Sequence, residues 1–194
     1  GTQNKIDLRD VNSWKLASIP VGYKGYDFGR NNLKSGYNRA KLSWYSIDPI
    51  FYSYRSPNEI SSDEVSKNST RRIYVDEIFP ELDLYQGESR SQTTFDLSFY
   101  PDEKGPYNNN TTDEFLSDKK NNWAAITKSI NTTNFKKANV EYIQFWMLDD
   151  FGDYDSNEFE IGEIIFHLGN ISEDILNDGK KQYENGLPDR KSVV

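Results

Sequence analysis

The 194-residue chain has no cysteine, one histidine and one methionine. Without cysteine there is no thiol nucleophile, no disulfide and no thiolate metal site. His167 is the single residue able to do imidazole chemistry, and no G-x-S-x-G elbow accompanies it, so a Ser-His-Asp arrangement has no local motif to support it. P-loop and G-x-G-x-x-G patterns are missing as well, which leaves nucleotide binding without a sequence basis. Long apolar runs are also lacking: none approaches the roughly 18 to 20 residues of a membrane-crossing helix. The opening "GTQNKIDLRD" carries no signal-peptide core. The chain is therefore expected to be soluble, with no direct insertion into a membrane.

Positive charge is in deficit. Lys and Arg number 23 against 31 Asp and Glu, a net charge of −8, with a pI near 4.8. The basic residues are scattered rather than striped, which argues against nucleic acid or an anionic membrane as partner. What the chain does have is rings: 13 Tyr, 11 Phe and 4 Trp against a mean hydropathy of −0.85. A polar chain whose core leans on aromatic residues suits β structure. Its length and 35% hydrophobic content predict a single domain over 1–194, with 1–10 and 188–194 peripheral.

Alternation marks the strands. Trp14, Leu16 and Ser18 oppose Lys15, Ala17 and Ile19, and Leu42 and Trp44 oppose Lys41, Ser43 and Tyr45. In "TTFDLSFY" Phe95, Leu97 and Phe99 are expected to face inward, with Thr94, Asp96, Ser98 and Tyr100 on the wet side. "VEYIQFWML" is apolar on both sets, Val140, Tyr142, Trp146 and Leu148 against Ile143, Phe145 and Met147, and reads as a central strand covered on both faces. "EIGEIIFHLG" alternates Ile164, Phe166 and Leu168 against Glu163, Ile165 and His167, and a short strand is expected at Arg71 to Val75.

Helices should be few and brief. Ser56-Pro57-Asn58-Glu59 and Thr111-x-x-Glu114 resemble capping boxes. Trp123, Ile126 and Ile130 fall at helical spacing behind Asn122 as cap, and Ser172 with Glu173 and Asp174 favours a last helix. Gly- and Asn-rich stretches from Val21 to Asn38 and from Asp102 to Glu114 read as long loops, which fit a sandwich with crossing connections.

Three places invite a functional reading. Between the last two strands lie Asp149, Asp150, Asp153, Asp155 and Glu158. Asp153-x-Asp155-x-Asn157 begins like an EF-hand loop, but position six is Glu158 rather than Gly and position twelve is Ile164 rather than Glu. The EF-hand motif fails; a looser Ca2+ site in the Asp149–Glu158 loop stays open beside the plainer reading of a polar hairpin connection, and no metal ligand is assigned. "KLSWYSIDPIFYSYR" gathers Trp44, Tyr45, Phe51, Tyr52 and Tyr54 around Pro49. Exposed rings of this kind stack on sugars and buried ones build a core, so a glycan is the alternative ligand. A glycosidase needs only two carboxylates across a sugar, and mere abundance of acids does not single out such a pair.

Taken together, "GYNRAKLSWYSIDPIFY", "FDLSFYPDEKGPYN", "VEYIQFWMLDDF" and "LGNISEDILNDGKKQYENGLP" resemble the SprA/Sov family, the large outer-membrane translocon of the type IX secretion system that also serves gliding motility. The resemblance runs from about Gly36 to Pro188. Asp102 stands where the family commonly has a serine, Ala124 and Ala125 where it has a glycine pair, and Asp150 where it has a proline. On this resemblance, the last departure implies that the acidic loop is a variable connection rather than a required site.

The resemblance implies a very large β-barrel with non-barrel segments inserted between its strands. The present chain lacks the repeated alternating hairpins of about ten residues that a barrel needs, so it is expected to be a soluble module of a longer polypeptide. It would lie at the outer membrane, on the periplasmic or cell-surface side, in contact with other translocon subunits or secreted cargo. The order of a ring-rich β half, "NWAAITKSINTTNF" and "VEYIQFWML" also resembles the galactose-binding-like jelly roll of carbohydrate-binding modules. The expected fold is accordingly mainly β, a jelly-roll-like β-sandwich with a few short helices in the connections. The expected function is non-enzymatic, with no catalytic, cofactor or metal residue assigned.

Overall fold

The structure, a computed structural model, describes residues 6–27, 33–131, 134–137, 139–148 and 162–180. The Asp149–Glu158 loop and the 188–194 tail lie outside the described residues. Those described are mostly non-helical, with small sheets and a few short helices. Strand β1 (Trp14–Leu16) pairs antiparallel with β6 (Ile126–Lys128), β2 (Ala40–Tyr45) neighbours β5 (Asp96–Lys104), and β3 (Ile73–Tyr74) pairs antiparallel with β4 (Ser91–Gln92).

The chain divides into two compact units. The first comprises Gly1–Arg9, Tyr45–Asp96 and Ile130–Ile165; the second comprises Asp10–Trp44, Leu97–Ser129 and Phe166–Val194.

The second unit is organised around Arg39, 2% exposed. Its guanidinium lies 4.4 Å over the Trp123 ring and donates to the carbonyls of Ala17 and Ile175 at 2.9 and 3.0 Å. Ala17, Ile19, Ala40 and Phe115 are buried in the same unit. A parallel bridge joins Arg39 to Trp123, with Trp123 N–H donating to Asn38 O and Ala40 N–H to Trp123 O. The two long Gly- and Asn-rich segments meet here. Asn108 Nδ2 donates to Tyr37 O and Arg39 O at 3.1 and 2.7 Å, and a Cβ on Gly36 would sit 2.8 Å from Tyr107 O. Burying backbone carbonyls is costly unless they are paired, and the asparagine amides supply the donors.

Among the described residues of the first unit, Ile73 and Val75 are the buried apolar ones. Helix α1 (Ser62–Ser66) starts with a complete capping box, Ser61 Oγ accepting from Glu64 N–H while Glu64 accepts from Ser61 N–H. Helix α2 (Val75–Ile78) follows β3 directly, with Glu77 accepting from Tyr74 N–H and from Arg71.

Several expectations are corrected. The Ser56–Glu59 segment forms turns, and the capping box lies five residues on, at Ser61 and Glu64. Helix α3 (Glu114–Ser117) has Asp113 rather than Thr111 at its N-cap position, and the Asp113 side chain makes no capping hydrogen bond. The helix expected after Asn122 is instead β6, because the Trp123 backbone is taken by Asn38 and Ala40. Through residue 180, Ser172 starts no helix; Asp174 folds the chain into a turn by accepting from Asp178 N–H and Gly179 N–H.

Strand β5 forms where alternation places it, but its faces are reversed. Leu97 and Phe99 are 44% and 46% exposed, while Asp96 and Ser98 are half-buried. Alternation tells which residues share a face, and a second layer decides which face is covered. Val140–Leu148 and Ile164–Leu168 form no strand at all, so the expected central strand covered on both faces is not present.

Candidate functional site

The most conspicuous surface lies in the first unit. From Tyr142 to Leu148 the chain carries Tyr142, Ile143, Phe145, Trp146, Met147 and Leu148 at 42–75% exposure, interrupted only by Gln144. Outside a sheet, a β-period sequence turns both its apolar sets to solvent. Trp146 meets Phe79 edge to face, ring centroids 6.0 Å apart, in a geometry that aromatic pairs favour. Phe79 is itself 44% exposed, and it borders an open, mostly apolar hollow of about 540 Å³ walled by Ile78, Phe79, Pro80, Glu81 and Leu82.

These residues belong to "VDEIFPELDLY", where the short helix α2 ends at Ile78 and Pro80 prevents its extension. No motif in the sequence marks this stretch; the clue it offers is three large apolar residues, Ile78, Phe79 and Leu82, grouped around Pro80. The segment from Ile164 to Leu168 is also exposed, at 48–60% for Ile164, Ile165, Phe166 and Leu168. A solitary exposed Leu is ordinary, whereas a contiguous apolar run is the usual mark of a contact surface.

His167 lies in that same exposed, non-helical stretch. The aromatic series is divided in its fate. Trp44 is half-buried and donates its indole N–H to Val11 O at 3.2 Å. Phe51 and Tyr52 are half-buried, and Tyr52 donates its hydroxyl to Thr70 O. Tyr45 is 38% exposed; Tyr54 is 90% exposed, with the Arg55 guanidinium 5.4 Å over its ring and bonded to its hydroxyl. Most of the series is thus packed or hydrogen-bonded rather than offered as one open platform.

Among the described residues no cluster of three or more His, Asp or Glu side chains is placed to hold a metal ion. No helix among them is long and apolar enough to cross a membrane. The acids whose titration is perturbed lie in structural roles. Burial pushes the Asp96 carboxyl up against the hydrogen bonds from Thr94 and from Ile47 N–H, which pull it down. Glu77 is held below the usual carboxylate range, chiefly by Tyr74 N–H and then by Arg71.

No protein-family model matches the chain, and no curated protein matches it.

Proposed function

We propose that the chain is a non-enzymatic module of a type IX secretion translocon of the SprA/Sov kind, serving protein secretion and gliding motility through contacts with companion subunits or secreted cargo. The observation that carries the contact role is the exposed run Tyr142–Leu148 with Phe79 against Trp146. Large aromatic residues and Met are the types that protein interfaces concentrate at their centres. The translocon assignment is supported by the four phrases between Gly36 and Pro188. The reading places the module at the outer membrane, on its periplasmic or cell-surface side.

The same reading favours a jelly-roll-like sandwich as the completed fold. Its support is the alternation in β5 and in the segments around Tyr142–Leu148 and Ile164–Leu168, whose apolar sets need a second layer. A partner or a further part of the longer polypeptide supplies that layer.

The test is a double substitution, Phe145→Ser with Trp146→Ser, introduced into the full-length protein in its native cells. Secretion of cargo to the cell surface should fall several-fold while the amount of the polypeptide in the outer membrane is unchanged. Undiminished secretion would remove the contact role from this segment. Perturbation of tryptophan emission by soluble glycans, with secretion intact, would favour the glycan-binding alternative.

A further inference from the structure

The first unit contains a second feature that the contact surface does not use. A partly enclosed cavity of about 40 Å³ lies between the β3–β4 pair and the short helical turn Pro49–Tyr52. Its polar wall includes Tyr52, Arg71, Arg72, Gln92, Thr93 and Thr94. That volume accommodates about three water molecules.

The two arginines differ in what they have left to give. Arg71 is neutralised by Glu77, with Nη1 contacts of 2.8 and 3.1 Å to its two carboxylate oxygens, and its Nε donates to Asn68. Arg72 is half-buried, and among the described residues its guanidinium has no carboxylate or hydrogen-bond partner; it lies 4.9 Å over the Tyr52 ring. A guanidinium held over a ring by cation–π attraction still has its N–H donors to give, and these are what arginine uses to grip a carboxylate in two parallel bonds. Asp96, beside Thr94 of the cavity wall, is occupied by the Thr94 hydroxyl and Ile47 N–H.

We propose that this cavity is a carboxylate-binding pocket, with Arg72 as the charged anchor and the Thr93 hydroxyl completing the contact, the Ser91 hydroxyl being engaged by Ser89 Oγ at 3.0 Å. The carboxylate comes from an acidic side chain of the bound protein, a source that rests on the protein-contact reading above; the pocket itself does not. Stacking on Tyr52 holds Arg72 in place before binding, so little side-chain entropy is lost when the carboxylate enters.

The experiment follows the arginine Nε–Hε resonances of the ¹⁵N-labelled protein during titration at constant ionic strength. The probes are sodium acetate, a blocked Ala-Glu-Ala tripeptide and its Ala-Gln-Ala counterpart. The expected result is a saturable shift confined to the Arg72 resonance, produced by acetate and by the Glu tripeptide and not by the Gln tripeptide. Arg72→Gln should weaken acetate binding roughly tenfold or more, the loss of a charge-assisted pair of hydrogen bonds. Linear shifts of all arginines alike would mean general screening and would overturn the pocket. The wild-type titration decides this even if Arg72→Gln fails to fold. Saturation by acetate but not by the Glu tripeptide would keep the pocket and overturn its peptide source, whatever the fate of the Tyr142–Leu148 surface.

Discussion

Replacing Gly105 by alanine creates a collision that no rotamer can relieve. The new Cβ would lie 2.2 Å from Ala40 O, 2.7 Å from Ala40 C and 3.2 Å from Lys41 N, all of them backbone atoms. Gly105 N–H donates to Arg39 O at 3.0 Å, and Arg39 O also accepts from Asn108 Nδ2 at 2.7 Å. Restoring an ordinary contact requires a separation of about 1 Å, which breaks the first of these bonds beside a buried arginine. Overpacking of this kind costs about 1–3 kcal/mol, and a buried donor or acceptor left unpaired costs a further 1–3 kcal/mol or so. The expected loss is therefore about 3 kcal/mol. With a urea slope of about 2 kcal/mol/M, the midpoint falls by about 1.5 M.

The assay is urea unfolding followed by tryptophan emission in a Trp146→Phe background. The remaining Trp14, Trp44 and Trp123 all belong to the second unit. Gly22→Ala is the control: its φ is +87° but nothing lies within 4 Å of the added Cβ, so only backbone strain of about 1 kcal/mol is expected. A Gly105→Ala midpoint within about 0.3 M of wild type would refute the close approach of the two segments.

Three further outcomes follow from named contacts. Asn122 donates to Pro101 O and Phe115 O at 2.8 and 2.9 Å and accepts from Asn38 Nδ2 at 3.1 Å. Asn122→Ala should therefore cost about 2 kcal/mol in the same unfolding assay. Burial raises the Asp96 carboxyl above its unfolded value, so the folded state binds that proton more readily and stability from this group declines as pH rises through its folded pKa. Asp96→Asn, which keeps an oxygen for Thr94 and Ile47, should unfold at higher urea than wild type at pH 7. That advantage should shrink as pH falls through the folded pKa and vanish only below the unfolded one, and a pH-independent difference would contradict the assignment. Trp146→Phe should leave the first unit folded and keep a ring against Phe79, whereas Trp146→Ser should remove the edge-to-face contact; proton shifts of the Phe79 ring distinguish the two.

The sequence was informative where local pairing and periodicity agree. Trp14–Leu16, Ala40–Tyr45, Ile73–Tyr74 and the start of β5 form strands within the segments whose alternation or β-rich composition marks them. It was misleading where tertiary contacts overrule periodicity. Trp123 and Ile126 match a helical spacing, yet bonds from Asn38 and Ala40 to the Trp123 backbone hold the chain extended. The reversed faces of β5 and the exposed run Tyr142–Leu148 have a different cause. A period-two pattern encodes a demand for a covering layer, and the layer itself is not written in the segment. The arginine pair in "TRRIYV" carries no motif that sets Arg72 apart from Arg71; its character comes from its place over the Tyr52 ring and from Glu77 pairing with its neighbour.

The translocon assignment is tested most directly by an immunoblot of fractionated native cells, with an antibody raised against this chain. A very large polypeptide in the outer-membrane fraction is the predicted result. A small band in the soluble fraction would contradict the assignment and leave the exposed aromatic surface to be explained by a glycan or another ligand.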